Sequence, residues 1–290
     1  MTKIAYINKT FQKQTLDIIN QANEIIEEYQ ADDLDLTLRQ LYYQFVSRAL
    51  IANKQSEYKR LGSIISDGRL AGLIDWNAIE DRTRALKGND HWEDPGHIIR
   101  SASWGFRLDH WAGQDHYVEV WIEKEALVGV IDDICRKLDV NFFACKGYVS
   151  QSEMWSAAQR FEYYDNPVII HLGDHDPSGI DMTRDIFDRH ELFLGDHIKV
   201  ERIALNMDQV EEFKPPPNPT KLTDTRSNNY IPIYGSECWE LDALEPKYLR
   251  ELIHRTVLQY RNDEIYQEVL DKEAEYKQIL ERVEENWETL

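Results

Sequence analysis

The chain reads as an α/β protein in which an N-terminal helical unit, expected to be a winged-helix domain, precedes a doubly wound parallel sheet with a helical C-terminal extension. Two observations predict this. Before Tyr117 the apolar residues recur at helical spacing, and after it short β-rich runs alternate with helix-period segments, the pattern of repeated βαβ units. A third, the polar stretch KGNDHWEDPG at residues 87–96, supplies the linker, and the boundary is drawn between residues 1–112 and 113–290.

In chain order, Leu16, Ile19, Ala22, Ile25, Ile26 and Tyr29 predict a helix over residues 10–30, ended by ADDLD. Thr37 with Gln40 fits a capping box and opens a second helix whose stripe is Leu38, Leu41, Tyr42, Phe45 and Ala49. Residues 56–70 read as a third helix, stopped by Gly72. The β-type run LIDWNAIEDRTR at residues 73–84 then suggests a small strand pair, giving the order of a winged helix-turn-helix. One more helix runs up to Trp111. The sheet begins with YVEVWI and continues through a helix over 125–138, NFFAC, a helix over 152–163, PVIIHL, a helix over 178–190, and IKVERIAL. KPPPNP is a stiff connector, and a helical segment follows from Cys238. Its last turns carry Tyr266, Val269, Tyr276, Leu280, Val283 and Trp287 at near-heptad spacing, the pattern of a helix packed on its own domain or on a partner.

Composition narrows the function. At 290 residues and 42% hydrophobic content the chain can bury real cores. It has neither an apolar run of membrane-spanning length nor a secretory leader at its start, so the expectation is a cytoplasmic protein without membrane contact. Cys135, Cys145 and Cys238 are odd in number and widely spaced, which suits reduced thiols rather than zinc. The net charge of −20 works against phosphate binding, but it is uneven. Residues 1–35 carry 3 basic and 7 acidic side chains, residues 36–110 carry 11 and 9, and the rest carry 19 and 37. Any nucleic acid therefore belongs on the second segment.

The chemistry concentrates at two strand ends. Glu123 closes YVEVWIE, and Asp174 and Asp176 in HLGDHDPSG follow PVIIHL, so a doubly wound sheet carries all three acids to one edge. Such carboxylates suit a hard divalent cation, Mg2+ or Mn2+, that keeps room for a phosphate oxygen. Pro177 and Gly179 turn the chain into a helix whose N-terminal amides favour an anion.

With these residues the sequence resembles the Toprim domain, and WIEKEAL and GDHDPSGIDM are most similar to the topoisomerase VI A subunit and meiotic double-strand-break transesterase family, particularly its small stand-alone relatives. The resemblance covers residues 35–260, firm at three motifs and loose between them. It implies a winged helix joined to a Toprim domain, a metal on Glu123, Asp174 and Asp176, and a nucleophilic tyrosine in an arginine-led helix. TLRQLYYQF resembles that helix, which makes Tyr43 the nucleophile and Arg39 its cationic aid. At about 100° per residue, Tyr43 falls off the apolar stripe and about 40° from Arg39, so Tyr42 is expected to pack and Tyr43 to be presented. The resemblance further implies a homodimer that cuts double-stranded DNA and leaves a 5′-phosphotyrosyl link. Arg69, Arg82, Arg84, Lys124 and Lys146 are the candidate DNA contacts. The chain departs from the family after the second sheet strand, where CKGYVSQSEM stands in place of a glycine-rich loop and Lys146, Gly147 and Ser150 replace its phosphate contacts only in part. No ATPase-type phosphate loop is present, so ATP-driven strand passage would need a separate subunit. Two other functions fit the same residues: a hydrolytic Toprim nuclease without tyrosine chemistry, and a non-catalytic DNA-binding or assembly subunit.

Overall fold

The computed structural model describes residues 3–31, 35–79, 89–195 and 198–286. Three helices form the N-terminal unit: α1 (Lys13–Gln30), α2 (Leu38–Ser47) and α3 (Gln55–Leu70). The capping box is present, with Thr37 accepting from the Gln40 amide at 3.2 Å and Gln40 returning the bond to the Thr37 amide at 2.9 Å. Ile19, Ala22, Ile25, Leu41, Phe45, Leu61 and Ile65 make the core of this unit. Gly72 ends α3 in a left-handed conformation, φ +73°, where a Cβ would meet the Ala5 backbone at 2.8 Å.

The expected strand pair over residues 73–84 is not formed in its described part. Residues 73–79 make bends and one single-residue bridge, Leu36 to Ile79, while residues 80–84 lie outside the described residues. The helical unit therefore stands without a described wing. The next helix, α4 (Pro95–Gly105), stops short of Trp111 because the following chain is pinned to other elements. Leu108 N–H donates to Glu273 Oε2 at 2.8 Å and His110 N–H to Asp139 Oδ2 at 2.9 Å.

All four expected sheet strands form: β1 (Tyr117–Ile122), β2 (Asn141–Ala144), β3 (Pro167–Leu172) and β4 (Lys199–Ala204). They are parallel in the order β2-β1-β3-β4. Between them run α5 (Val128–Lys137, entered through a 3₁₀ turn at Glu125–Leu127), α6 (Gln151–Phe161) and α7 (Pro177–Leu194). The period of two assigns the faces. Val118, Val120, Ile122, Val168, Ile170 and Leu172 pack in the cluster that contains α5 residues, whereas Trp121 and Ile169 share a core with Met154, Phe161 and Ile186 of α6 and α7. Burial on both faces explains why PVIIHL is apolar but for His171, whose Nδ1 bonds Thr183 Oγ1 at 2.8 Å.

After β4 come α8 (Met207–Phe213), β5 (Asn218–Pro219), α9 (Ser227–Tyr234), β6 (Glu237–Cys238), a 3₁₀ turn (Leu241–Ala243), α10 (Pro246–Leu258) and α11 (Asp263–Asn286). The sequence reading did not find α8 or α9; both are short, and α9 contains Pro232. The C-terminal helix α11 packs along α4. Cys135, Cys145 and Cys238 are free thiols. Among the described residues no helix is long and apolar enough to cross a membrane.

Candidate active site at the carboxyl edge of the sheet

The chain leaves β1 toward β2 on one side and returns to β3 on the other, so a crevice forms beyond the carboxyl ends of β1 and β3. The register pairs Ile122 with Leu172, which brings the residues just past each strand side by side. Glu123 donates its amide to Leu172 O at 2.8 Å, and its Oε2 accepts the Asp174 amide at 2.8 Å. Asp174 is 7% exposed. Its Oδ1 accepts the Leu241 amide at 2.7 Å and its Oδ2 lies 3.0 Å from Lys124 Nζ. Asp176 caps α7 through one oxygen, Oδ1, which accepts from the Gly179 amide at 2.7 Å. Gly179 is required here, because a Cβ would sit 2.1 Å from Asp174 O.

Beneath this loop lies Arg202 of β4, a buried guanidinium that the sequence reading did not single out. Its Nη2 donates to Asp174 O at 2.7 Å, Gly173 O at 2.9 Å and Leu205 O at 3.1 Å, and its Nη1 to Gly179 O and Thr183 Oγ1, both at 2.9 Å. Burial pushes Arg202 down to about 10, although Glu123, Asp174 and Asp176 all favour its charge. The guanidinium and the acids of this loop, of which Asp174 is buried, thus support one another.

The opposite wall comes from the N-terminal unit. Arg39 Nε pairs with Asp242 Oδ2 at 2.8 Å, and Arg39 Nη2 bonds Glu240. Lys124 Nζ reaches Glu240 Oε2 at 2.8 Å and Asp242 Oδ1 at 2.9 Å in addition to Asp174. Arg39, Tyr43, Lys124, Glu123, Asp174 and Asp176 therefore share one neighbourhood. The two residues that join them, Glu240 and Asp242, were missed, although their step of two repeats that of Asp174 and Asp176.

Tyr43 corrects one expectation. It is 4% exposed, no more than Tyr42 at 5%, so it is not presented on the surface of the helix. Both faces of α2 are covered, one by α1 and α3 and the other by the Leu241–Ala243 turn. Only the hydroxyl end keeps a polar outlook, 3.4 Å from Arg39 Nη2 and facing a cleft of about 290 Å³ that Arg39 and Glu240 also line. Burial raises the phenol pKa most, and Asp242 and Glu240 add to the effect against Arg39 and Lys124. Burial thus shields the Tyr43 hydroxyl and favours its neutral form.

The electrostatics of the acids point the same way. Burial first, then repulsion from Glu123 and Asp242, pushes Asp174 up to about 7 despite the Lys124 ammonium. Glu123 is raised chiefly by burial, with Asp176 contributing. Glu240 runs opposite: burial would raise it, but Lys124 and Arg39 together hold it at about 2.

The remaining expected residues have other surroundings. Arg69 donates to Trp76 O and lies over the Trp76 ring, 4.8 Å from its centroid, which commits it to closing the end of α3. Lys146 pairs with Glu125 at 2.7 Å on the rim. Arg82 and Arg84 lie outside the described residues. His175 faces away from the acids: its Nδ1 bonds Tyr230 Oη at 2.7 Å inside a box of Tyr230, Tyr234 and Trp239.

Among the described residues no group of three or more His, Cys, Asp or Glu side chains is arranged to hold a metal ion as it stands. The donor set nevertheless suits a hard cation. It is all oxygen, the bonds that fix Glu123 and Asp176 each use a single carboxylate oxygen, and five carboxylates (Glu123, Asp174, Asp176, Glu240, Asp242) face three cations (Arg39, Lys124, Arg202). No protein-family model and no curated protein matches the chain.

Proposed function

We propose that the chain is a divalent-cation-dependent DNA-cleaving transesterase, with Tyr43 as nucleophile, Arg39 as its cationic aid, and Glu123, Asp174 and Asp176 as the carboxylates that would hold Mg2+ or Mn2+. The observation that carries this reading is the charge deficit beside a phenol. With all five carboxylates ionised they outnumber the three cations by two, a shortfall that one divalent ion would fill, and the raised Asp174 and Glu123 reflect that shortage. When bound, the metal would neutralise charge on the phosphate under attack.

The chain's own residues account for the rest. Tyr43 Oη attacks a backbone phosphorus, the Tyr43–O–P bond forms as the bond to the 3′ oxygen breaks, and the phenolic proton ends on that 3′ oxygen. The product is a 5′-phosphotyrosyl link with the phosphoester conserved, so the step is reversible. Arg39 orients the phosphate with its planar fork and opposes the burial that disfavours the phenolate. Arg202 and Gly179 fix the loop that aims Asp174 and Asp176. A homodimer acting on double-stranded DNA would cut both strands, and any ATP-driven step would belong to a separate subunit.

The burial of Tyr43 favours one second reading, a nuclease in which a water molecule attacks and the phenol only lines the cleft. Plasmid DNA with Mg2+ or Mn2+, resolved with and without protease digestion, separates the two. Transesterification predicts protein-linked DNA that protease releases, and its loss in Tyr43→Phe. Cleavage that persists in Tyr43→Phe without an adduct establishes hydrolysis, and no cleavage by the wild type leaves a DNA-binding or assembly role.

A further inference from the structure

The cleft beside Tyr43 lies between the start of α3 and the β5–β6 pair, walled by Arg39, Tyr43, Asn53, Lys54, Asn218 and Glu240. A chain of bonds crosses it. Asn53 Nδ2 donates to Asn218 Oδ1 at 3.2 Å, Asn218 Nδ2 donates to Glu240 Oε1 at 3.3 Å, and Glu240 Oε2 accepts from both Arg39 and Lys124. One carboxylate thus occupies the cationic end of a polar cleft. Its neighbour Asp242 is locked in place, with a side chain 2% exposed in the turn whose Leu241 amide bonds Asp174. Glu240 is different: its side chain is 24% exposed, at the cleft's edge, and longer. Lys54 stands exposed on the far wall, with no ion pair among the described residues.

A carboxylate that bridges a guanidinium and an ammonium offers the same two oxygens and single negative charge as a phosphodiester. We propose that this cleft is a phosphodiester-binding site and that Glu240 is its built-in competitor, holding Arg39 and Lys124 until a nucleic-acid backbone phosphate takes its place. The inference rests on the reading of the chain as acting on nucleic acid, yet it concerns binding and not cleavage. It also explains how an acidic protein can hold two site cations in reserve. Displacing Glu240 frees one contact of each cation beside the Tyr43 hydroxyl, while Asp242 and Asp174 keep both cations in place.

The test is fluorescence anisotropy with a labelled single-stranded oligonucleotide in EDTA, where no metal-dependent cleavage occurs. Glu240→Gln keeps the side chain's size while removing its charge, and is expected to bind at least about fivefold tighter than wild type. Glu191→Gln, the same charge change on the exposed surface of α7, is the control, with a gain below about twofold. Lys54→Ala added to Glu240→Gln is expected to abolish most of the gain. In the wild-type background Lys54→Glu should weaken binding at least about fivefold, a result that does not depend on Glu240→Gln folding well. The inference is overturned if Glu240→Gln binds no better than Glu191→Gln, if the gain survives Lys54→Ala, if Lys54→Glu changes nothing, or if the gain appears for inorganic phosphate alone. Absence of an adduct in the plasmid assay would leave a positive binding result standing. Failure here would likewise leave the adduct assay untouched.

Discussion

Glu273 on α11 and Asp174 beyond β3 are both buried carboxylates, yet their surroundings drive them in opposite directions. Glu273 accepts from His110 Nε2 at 2.7 Å, from the Leu108 amide at 2.8 Å and from Lys277 Nζ at 2.6 Å. Burial opposes its charge, but those donors outweigh it and hold Glu273 at about 2. Asp174 has comparable partners in the Leu241 amide and Lys124, and still sits at about 7, because burial is joined by the repulsion of Glu123 and Asp242. The first cluster is a closed knot that fastens α11 to the chain between α4 and β1. The second is short of positive charge, the imbalance on which the proposed metal site rests.

The largest effect expected from that contrast lies under the site. Arg202→Met removes the cation that binds four backbone carbonyls and faces three acids, so its cost should be about 4 kcal/mol or more, read as unfolding at lower urea. A destabilisation below about 1 kcal/mol would show that the acid loop holds its shape unaided. Next comes the knot. Glu273→Ala leaves His110, Lys277 and the Leu108 amide without their acceptor and should cost about 3 kcal/mol while sparing divalent binding.

A smaller effect depends on pH. The raised pKa of Asp174 means that between about 4 and about 7 the folded chain holds a proton that the unfolded chain has released. Its ionisation therefore costs stability in full above pH 7, the cost shrinks as pH falls through the window, and below about 4 nothing further changes. His171 and His175, both lowered by burial, drive the whole protein the other way over part of that range. The difference between wild type and Asp174→Asn isolates the carboxyl. Without divalent ions it should shift in favour of wild type by at least about 1 kcal/mol between pH 8 and pH 4. A flat difference would remove the repulsion argument. The smallest effect on stability belongs to Tyr43→Phe, within about 1 kcal/mol, since only the 3.4 Å bond from Arg39 is lost. A larger loss would make the hydroxyl a structural anchor.

The same comparison shows what the sequence could reveal. The strands and the position of Glu123 and Asp174 were legible because a parallel sheet buried on both faces writes itself as largely apolar runs, and Glu123, one residue beyond Ile122, and Asp174, two beyond Leu172, leave paired strands at the same edge. Thr37 and Gln40 likewise announced the start of α2. The burial of Tyr43 was not legible. A helical wheel finds the face that meets the helix's own core, and it says nothing of a second surface laid over the opposite face, here the turn at Leu241–Ala243. Gln40 and Gln44, polar yet buried, are the trace of that second contact. Glu240 and Asp242 escaped notice because they follow a short two-residue strand, where no sheet pattern frames them. Arg202 looked like an ordinary charge in a half-apolar strand. Its partners are four backbone carbonyls and the Thr183 hydroxyl, and carbonyls leave no mark on a sequence.

Calorimetric titration of Mn2+ into the protein asks whether the acid-rich crevice takes a divalent ion at all. Wild type and Glu273→Ala are expected to bind, with a loss of at least about tenfold in affinity, some 1.4 kcal/mol, in the Asp174→Asn, Asp176→Asn double variant. Equal binding by wild type and the double variant, or no heat from either, would contradict that expectation.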